Sequence, residues 1–210
     1  MIASAVAAST GSYTWMAPNS GTTAARVRAT DAYGSASDMS EGTFTITVAA
    51  TPAKVILNEI LANEPGSSTS GEFVELVNVG NTSIDISGWV IRDTDSVRHT
   101  FPAGTVLGGG QAVVVFAGAA GIPPGTPNAV ASSTGALGLN NGGDTVTVKS
   151  SSAKNAATID SFTYGSSLGS QDGVSMNRSP DASATGTFVL HNTLSSLSAS
   201  PGERVSGAAF

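Results

Sequence analysis

From Lys54 onward the chain is interrupted by Gly, Pro, Asn and Asp clusters at intervals of about ten residues, the rhythm of a β-sandwich. Predicted strands lie between the interruptions. They run from Val55 to Leu61, Glu72 to Asn78, Ile84 to Ile86, Trp89 to Asp93, Val97 to Phe101, Thr145 to Val148, Thr158 to Tyr164 and Gly173 to Arg178. Thr94, Asp95 and Ser96 read as a hairpin turn, and Ala112 to Phe116 as a fully buried strand. Residues 117–136 read as one long loop rich in Gly, Pro, Ser and Thr. Composition supports strands over helices: Asp, Glu, Lys and Arg supply only 11% of 210 residues, while 53 are Ser or Thr. Amphipathic helices normally draw their polar faces from Glu and Lys, so an all-helical fold is excluded. An apolar content of 40% is enough for a buried core. The expected class is all-β.

Residues 1–50 differ from the rest. Ser12 to Met16, Ala25 to Thr30 and Gly42 to Val48 alternate as three short strands. They resemble the closing half of an immunoglobulin-like or fibronectin-like module, and residues 51–53 read as a linker to a second domain at 54–210. Half a sandwich leaves an apolar face uncovered, so residues 1–50 are expected to be the tail of an upstream β-domain.

Charge and cysteine narrow the partners. The net charge is −6, and the basic residues are scattered apart from Arg26 with Arg28 and Arg92 with Arg98. Without a basic stripe little counterion release is available, which disfavours nucleic acid and anionic membranes as partners. The chain has no Cys and therefore no disulfide or thiolate chemistry, a feature compatible with either redox compartment. No apolar run approaches the roughly 20 residues that span a bilayer, so membrane insertion is not expected. The segment Met1 to Ala8 lacks a basic region and reads as a truncated start, with any export signal upstream.

Six segments occur in one order: VILNEILAN (55–63), GEFVELVNVGNTSIDISGWVIRD (71–93), HTFPAGTVLGGGQAVVVF (99–116), LNNGGDTVTV (139–148), IDSFTYG (159–165) and DGVSMNRSPD (172–181). Together they resemble the lamin-tail domain in its bacterial extracellular form, over about residues 54–205. The resemblance implies an immunoglobulin-like β-sandwich in which Asn58, Glu59, Phe73, Glu75, Gly88, Trp89 and Phe101 fall on family-motif positions. It also implies an accessory module of an exported multidomain protein, and it carries no catalytic role. No heptad-patterned rod is present, so the chain does not resemble a lamin itself.

Few residues are candidates for chemistry. Glu59 and Glu75 lie inside strands, in step with Val55, Leu57 and Leu61 and with Phe73 and Val77 respectively. They could form an acid/base pair or bind a hard cation. The simpler reading pairs them with Arg92 or Arg98, or with backbone N–H groups at a strand irregularity. Asp93 and Asp95, with Asp144 or Asp172 as remote additions, could hold Ca2+, although no D-x-D-x-D-G loop is present and Asx turns explain them equally. Gly165 to Gly169 matches the G-x-S-x-G pattern, but a turn is expected to follow rather than the helix of a nucleophile elbow. His99 reads as a half-exposed strand residue, and with His191 it makes a poor zinc site. Gly108 to Gly110 reads as a turn. Trp89 and Phe101 could offer a sugar-stacking platform, with a core anchor the favoured role for Trp89. Asn81 and Asn177 begin sequons in turn-like contexts.

The expected function is therefore a non-enzymatic adhesion, accessory or spacer module, extracellular or at the cell surface, with neighbouring domains and extracellular protein or glycan as partners. Loops 63–71, 117–136 and 165–172 would form its variable surface. The alternatives are a calcium-assisted glycan or cell-wall binder and a nucleic-acid-binding module attached to a secreted nuclease or phosphoesterase. A hydrolase built on Glu59 and Glu75 is the enzymatic alternative. No cofactor is assigned; Ca2+ is the ion weighed.

Overall fold

The computed structural model describes residues 7, 9, 11–15, 21–66 and 68–210. The chain divides into two compact units, Met1–Ala50 and Thr51–Phe210.

The first unit contains β1 (Thr22–Ala25), β2 (Arg28–Thr30), β3 (Ser37–Met39) and β4 (Phe44–Ile46), paired antiparallel as β1 with β4 and β2 with β3. The alternating stretch around Val27 is thus split between two ribbons. Ser12 to Trp15 do not form the expected strand, and Met16 lies outside the described residues. None of the described residues of this unit is buried, so alternation there has no packed face to hold a strand in register.

The second unit is an all-β sandwich. Its strands are β5 (Val55–Leu61), β6 (Phe73–Asn78), β7 (Ile84–Asp85), β8 (Val90–Arg92), β9 (Val97–Thr100), β10 (Val106–Leu107), β11 (Ala112–Phe116), β12 (Ala129–Ala131), β13 (Gly143–Lys149), β14 (Thr158–Gly165), β15 (Met176–Ser179) and β16 (Thr187–Leu190). One sheet runs β12-β11-β6-β5-β15-β16 and the other β14-β13-β8-β9, with β7 and β10 forming a small ribbon. Between the sheets lies the main core, where Leu57, Ile60, Leu76, Val115 and Met176 meet Ile91, Val146, Val148 and Tyr164.

The two sheets are covered differently. β13 alternates between buried and half-exposed residues, as a sheet wetted on one face must. β5, β6 and β11 are buried at every position because the outer face of the six-stranded sheet is covered too. Leu61, Phe73, Val114 and Phe116 pack there under Ile122 and Ala199, and Ile56, Val77 and Ala112 under Ala182, Ala184 and Phe210. The segment after β16 therefore serves as part of a third layer.

Residues 117–136 are not a single loop. β12 adds to β11 in parallel, and a 3-10 turn at Ala119–Gly121 packs beside another at Thr69–Gly71. Three residues of Ala-Val-Ala are too short for a sequence pattern to reveal them. The approach of the two turns requires Gly121, where a Cβ would collide with the Ser70 carbonyl group. Gly121→Ala should lower the thermal midpoint of the full chain by about 5–10 °C, from an overpacking cost of about 2–3 kcal/mol.

Candidate functional site

The site grows out of a β-bulge. In the β5–β6 ladder Leu57 faces Leu76 and Glu59 faces Glu75, leaving Asn58 as an extra residue. Before the bulge Val55 and Leu57 point into the main core; after it Ile60 and Ala62 do. Glu59 is therefore not in step with Val55 and Leu57. The bulge turns it to the outer face, beside Leu61 and across from Glu75, which keeps its place between Phe73 and Val77.

A bulge frees backbone groups, and an ion pair takes them up. Asp160 of β14 accepts the Leu57 N–H at 2.8 Å, and Arg178 of β15 donates Nε–H to the Leu57 carbonyl at 2.5 Å. Arg178 and Asp160 bridge each other at 2.8 Å, with the guanidinium over the Phe188 ring. Because β14 and β15 belong to different sheets, this pair also ties the sandwich together at one edge.

Both glutamates are fully buried, and neither meets an arginine; Arg98 is taken by Asp93 instead. Glu59 accepts the Ser175 hydroxyl at 2.5 Å, the Ser200 N–H at 2.9 Å and the Ser200 hydroxyl at 3.1 Å. Glu75 accepts the Asn58 amide at 2.9 Å and the Gly202 N–H at 2.8 Å. Asn58 also donates to Asp181 at 3.0 Å and accepts the Ala182 N–H at 2.9 Å. Asp181 in turn accepts the Val205 N–H at 3.3 Å and lies 3.8 Å from Arg204. The backbone N–H donors to the two glutamates thus come not from the strand irregularity itself but from Ser200 and Gly202, 141 and 127 positions along the chain from Glu59 and Glu75.

Burial pushes the Glu59 carboxyl above its ordinary range. It pushes Glu75 well above, reinforced by the Glu59 charge next door. His191 completes the network. Its Nδ1 faces the Leu197 carbonyl at 3.0 Å, which can only accept, so Nδ1 carries a proton. Its Nε2 lies 2.9 Å from the Ser200 hydroxyl and 3.9 Å from Glu59. His191, expected to be isolated, is thus joined to Glu59 through Ser200.

A carboxylate pair of this kind has the residue types for acid/base work, but every oxygen is engaged and residues 198–205 lie over it. What it does is hold the C-terminal segment onto the sheet. Sequence reading could find Glu59 and Glu75 from their place in apolar strands. It missed Ser175, Asp181, His191, Ser200 and Gly202, for which no local pattern exists.

The other candidates are dispersed. Asp93 accepts N–H bonds from Asp95 (2.9 Å) and Ser96 (2.6 Å) and two donors from Arg98. Asp144 accepts from Thr94, Thr145 and Asn140. Few oxygens remain for a cation that takes six to eight, and no group of three or more His, Asp or Glu converges on a metal-sized site among the described residues. His99 is buried rather than half-exposed. Its Nδ1 accepts the Ser133 N–H, its ring packs edge-on to Phe101, and burial brings its pKa down to about 4. Phe101 is enclosed and cannot stack on a sugar; Trp89 is half-buried against the core. Gly165 leads from β14 into a single helical turn, α1 (Ser166–Gly169), the expected turn follows at residues 170–173, and neither histidine bonds to the segment. Asn177 is a buried strand residue and not a turn sequon. Loops 63–71, 117–136 and 165–172 do meet, through Gly118 and Gly121 against Ser70 and through Asn63 donating to the Ser170 carbonyl.

The family model of the lamin tail domain matches residues 48–166. The chain belongs to the lamin tail domain family. The fold is that family's immunoglobulin-like β-sandwich, and the family is one of binding and structural domains rather than enzymes. In this lamin tail domain β15, β16 and the covering C-terminal segment lie beyond the matched residues. No curated protein matches the chain.

Glu59→Gln turns one of the two acceptor oxygens that take three donors into an NH2 donor and should cost about 1–3 kcal/mol. Hydrogen exchange at the Ser200 and Gly202 amides should then accelerate before exchange in β6 and β11. A separate pH effect comes from Glu72, which burial pushes up to about 7 despite N–H bonds from Leu139 and Gly138. A raised folded pKa contributes stability that is complete below the ordinary value of 4.5 and is lost as pH rises through about 7. The denaturation midpoint should therefore fall between pH 5 and pH 8, and Glu72→Gln should flatten that slope, as measured by urea titration at fixed salt.

Proposed function

We propose that this chain is a non-enzymatic accessory module of an exported, multidomain bacterial protein, spacing its neighbours or presenting its loops to an extracellular partner. The observation that carries this reading is the closed carboxylate network. Glu59 and Glu75 face Ser175, Ser200, Gly202 and Asn58 and are fully buried, so no substrate reaches them. Two further features support it. The Ser/Thr-rich, charge-poor composition suits a passive β-module, and residues 1–50 resemble part of another immunoglobulin-like module, as a multi-module chain would contain. Calcium is not part of the proposal because Asp93 is committed to Arg98. Nucleic acid is not part of it because the basic residues form no stripe along which a phosphate backbone could run.

The test uses the protein that carries this chain in its own cells. Protease added to intact cells should cleave an epitope-tagged copy, or the copy should appear in the medium. Protection until the cells are lysed would overturn export. Titration of the full chain with Ca2+ should leave the melting temperature unchanged; a rise that Asp93→Ala abolishes would instead establish a calcium-dependent module.

A further inference from the structure

The second unit has seven basic residues: Lys54, Arg92, Arg98, Lys149, Lys154, Arg178 and Arg204. Three face carboxylates, Arg98 at Asp93, Arg178 at Asp160 and the more exposed Arg204 at Asp181. Two of the other four, Arg92 and Lys149, lie on the wetted face of the four-stranded sheet. Arg92 faces Thr147 across the β8–β13 ladder, and Lys149 is two residues along β13, hence on the same face. Diagonal positions of that kind lie about 7–8 Å apart. The Lys149 ammonium donates to the Lys154 carbonyl at 3.2 Å, which brings the hairpin bearing Lys154 alongside. Neither Arg92 nor Lys149 has a carboxylate partner among the described residues.

Between Arg92 and Lys149 lies an open hollow of about 400 Å³, floored by Thr145 and Thr147 and edged by Thr94 and Thr158. Asp93 also borders it, but its carboxylate is turned onto Arg98 and is 2% exposed. Asp144, the next acid, is occupied by the N–H groups of Thr94, Thr145 and Asn140. The hydroxyls of Thr145 and Thr147 are linked to Thr163 at 2.8 Å and Ser161 at 2.9 Å, which sets them in two rows across the sheet. Each keeps hydrogen-bonding capacity toward solvent.

We propose that this hollow binds a carboxylate-bearing sugar unit of an acidic polysaccharide. A guanidinium fork matches a carboxylate, an ammonium adds a second charge, and rows of hydroxyls match sugar hydroxyls, which both donate and accept. The volume falls within the range of small-ligand sites. A second groove of about 510 Å³ shares Thr158 with the first and is lined by Lys54, Trp89, Ile84 and Ile159. It offers a half-buried indole to the apolar face of an adjoining sugar. A local site of this kind works despite a net charge of −6, because salt screens charges beyond about 8 Å. The site goes beyond the accessory-module reading, and binding in vitro tests it whether or not that reading holds.

The full chain, in EDTA, would be titrated with a galacturonate oligomer and followed by amide chemical shifts. Shifts should cluster at Arg92, Thr145, Thr147 and Lys149, with affinity falling as salt rises. R92Q/K149Q, which keeps the first two methylenes of each side chain and removes both charges, should bind about tenfold or more weakly while melting at the same temperature. Absence of shifts up to about 10 mM, a weak-binding limit, would overturn the site, as would unchanged affinity in the double variant or shifts elsewhere. Tighter binding of a sulfated oligosaccharide would overturn the carboxylate assignment, and tighter binding of duplex DNA would overturn the choice of polysaccharide.

Discussion

One extra residue in β5 determines how the rest of the sandwich is arranged. Without the bulge at Asn58, Glu59 would continue the alternation of Val55 and Leu57 and place a carboxylate in an apolar core, at a cost of several kcal/mol. With it, Ile60 takes the core position and Glu59 moves to the outer face beside Glu75. The displaced strand then needs partners for Leu57, which Asp160 and Arg178 provide. The displaced carboxylate needs donors and a cover, which the chain after β16 provides.

That second requirement explains why the six-stranded sheet is dry on both faces. Leu61, Phe73 and Phe116 on one side of the carboxylates and Ile56 and Val77 on the other bury apolar surface under the C-terminal segment. The polar strip between them fixes how that segment lies, because Ser200 and Gly202 must each reach a particular carboxylate. Apolar burial supplies the attraction without direction, and the hydrogen bonds supply the register. The four-stranded sheet has no such cover. Its outer face keeps hydroxyls and free cations, which is why any ligand is expected there and not at the buried acids.

Much of the sandwich was legible in the sequence because its signals are local. Alternation located β13, a continuous apolar run marked β11, and Asp93 with Ser96 marked a turn that the hairpin requires. Readings failed where the cause was distant or short. Ser12 to Trp15 alternate but none of them is buried, and β12 is held by pairing with β11 and not by its own pattern. Glu59 stands out as a carboxylate in an apolar strand, yet its facing depends on a bulge that leaves the residue pattern unchanged. Charge alone points to arginine as the partner for that carboxylate. The structure satisfies it with serine hydroxyls and backbone N–H groups, since these neutral donors do not bring a second ion out of water.

By itself the sequence determined an all-β chain with few charges, two buried-strand glutamates and a lamin-tail pattern, since periodicity, turn residues and composition act over a few neighbours. Tertiary structure alone decided which face Glu59 takes, that residues 198–205 close over it, and which basic residues remain unpaired. Those outcomes join positions more than a hundred residues apart, and only the requirement that buried polar groups find partners brings them together.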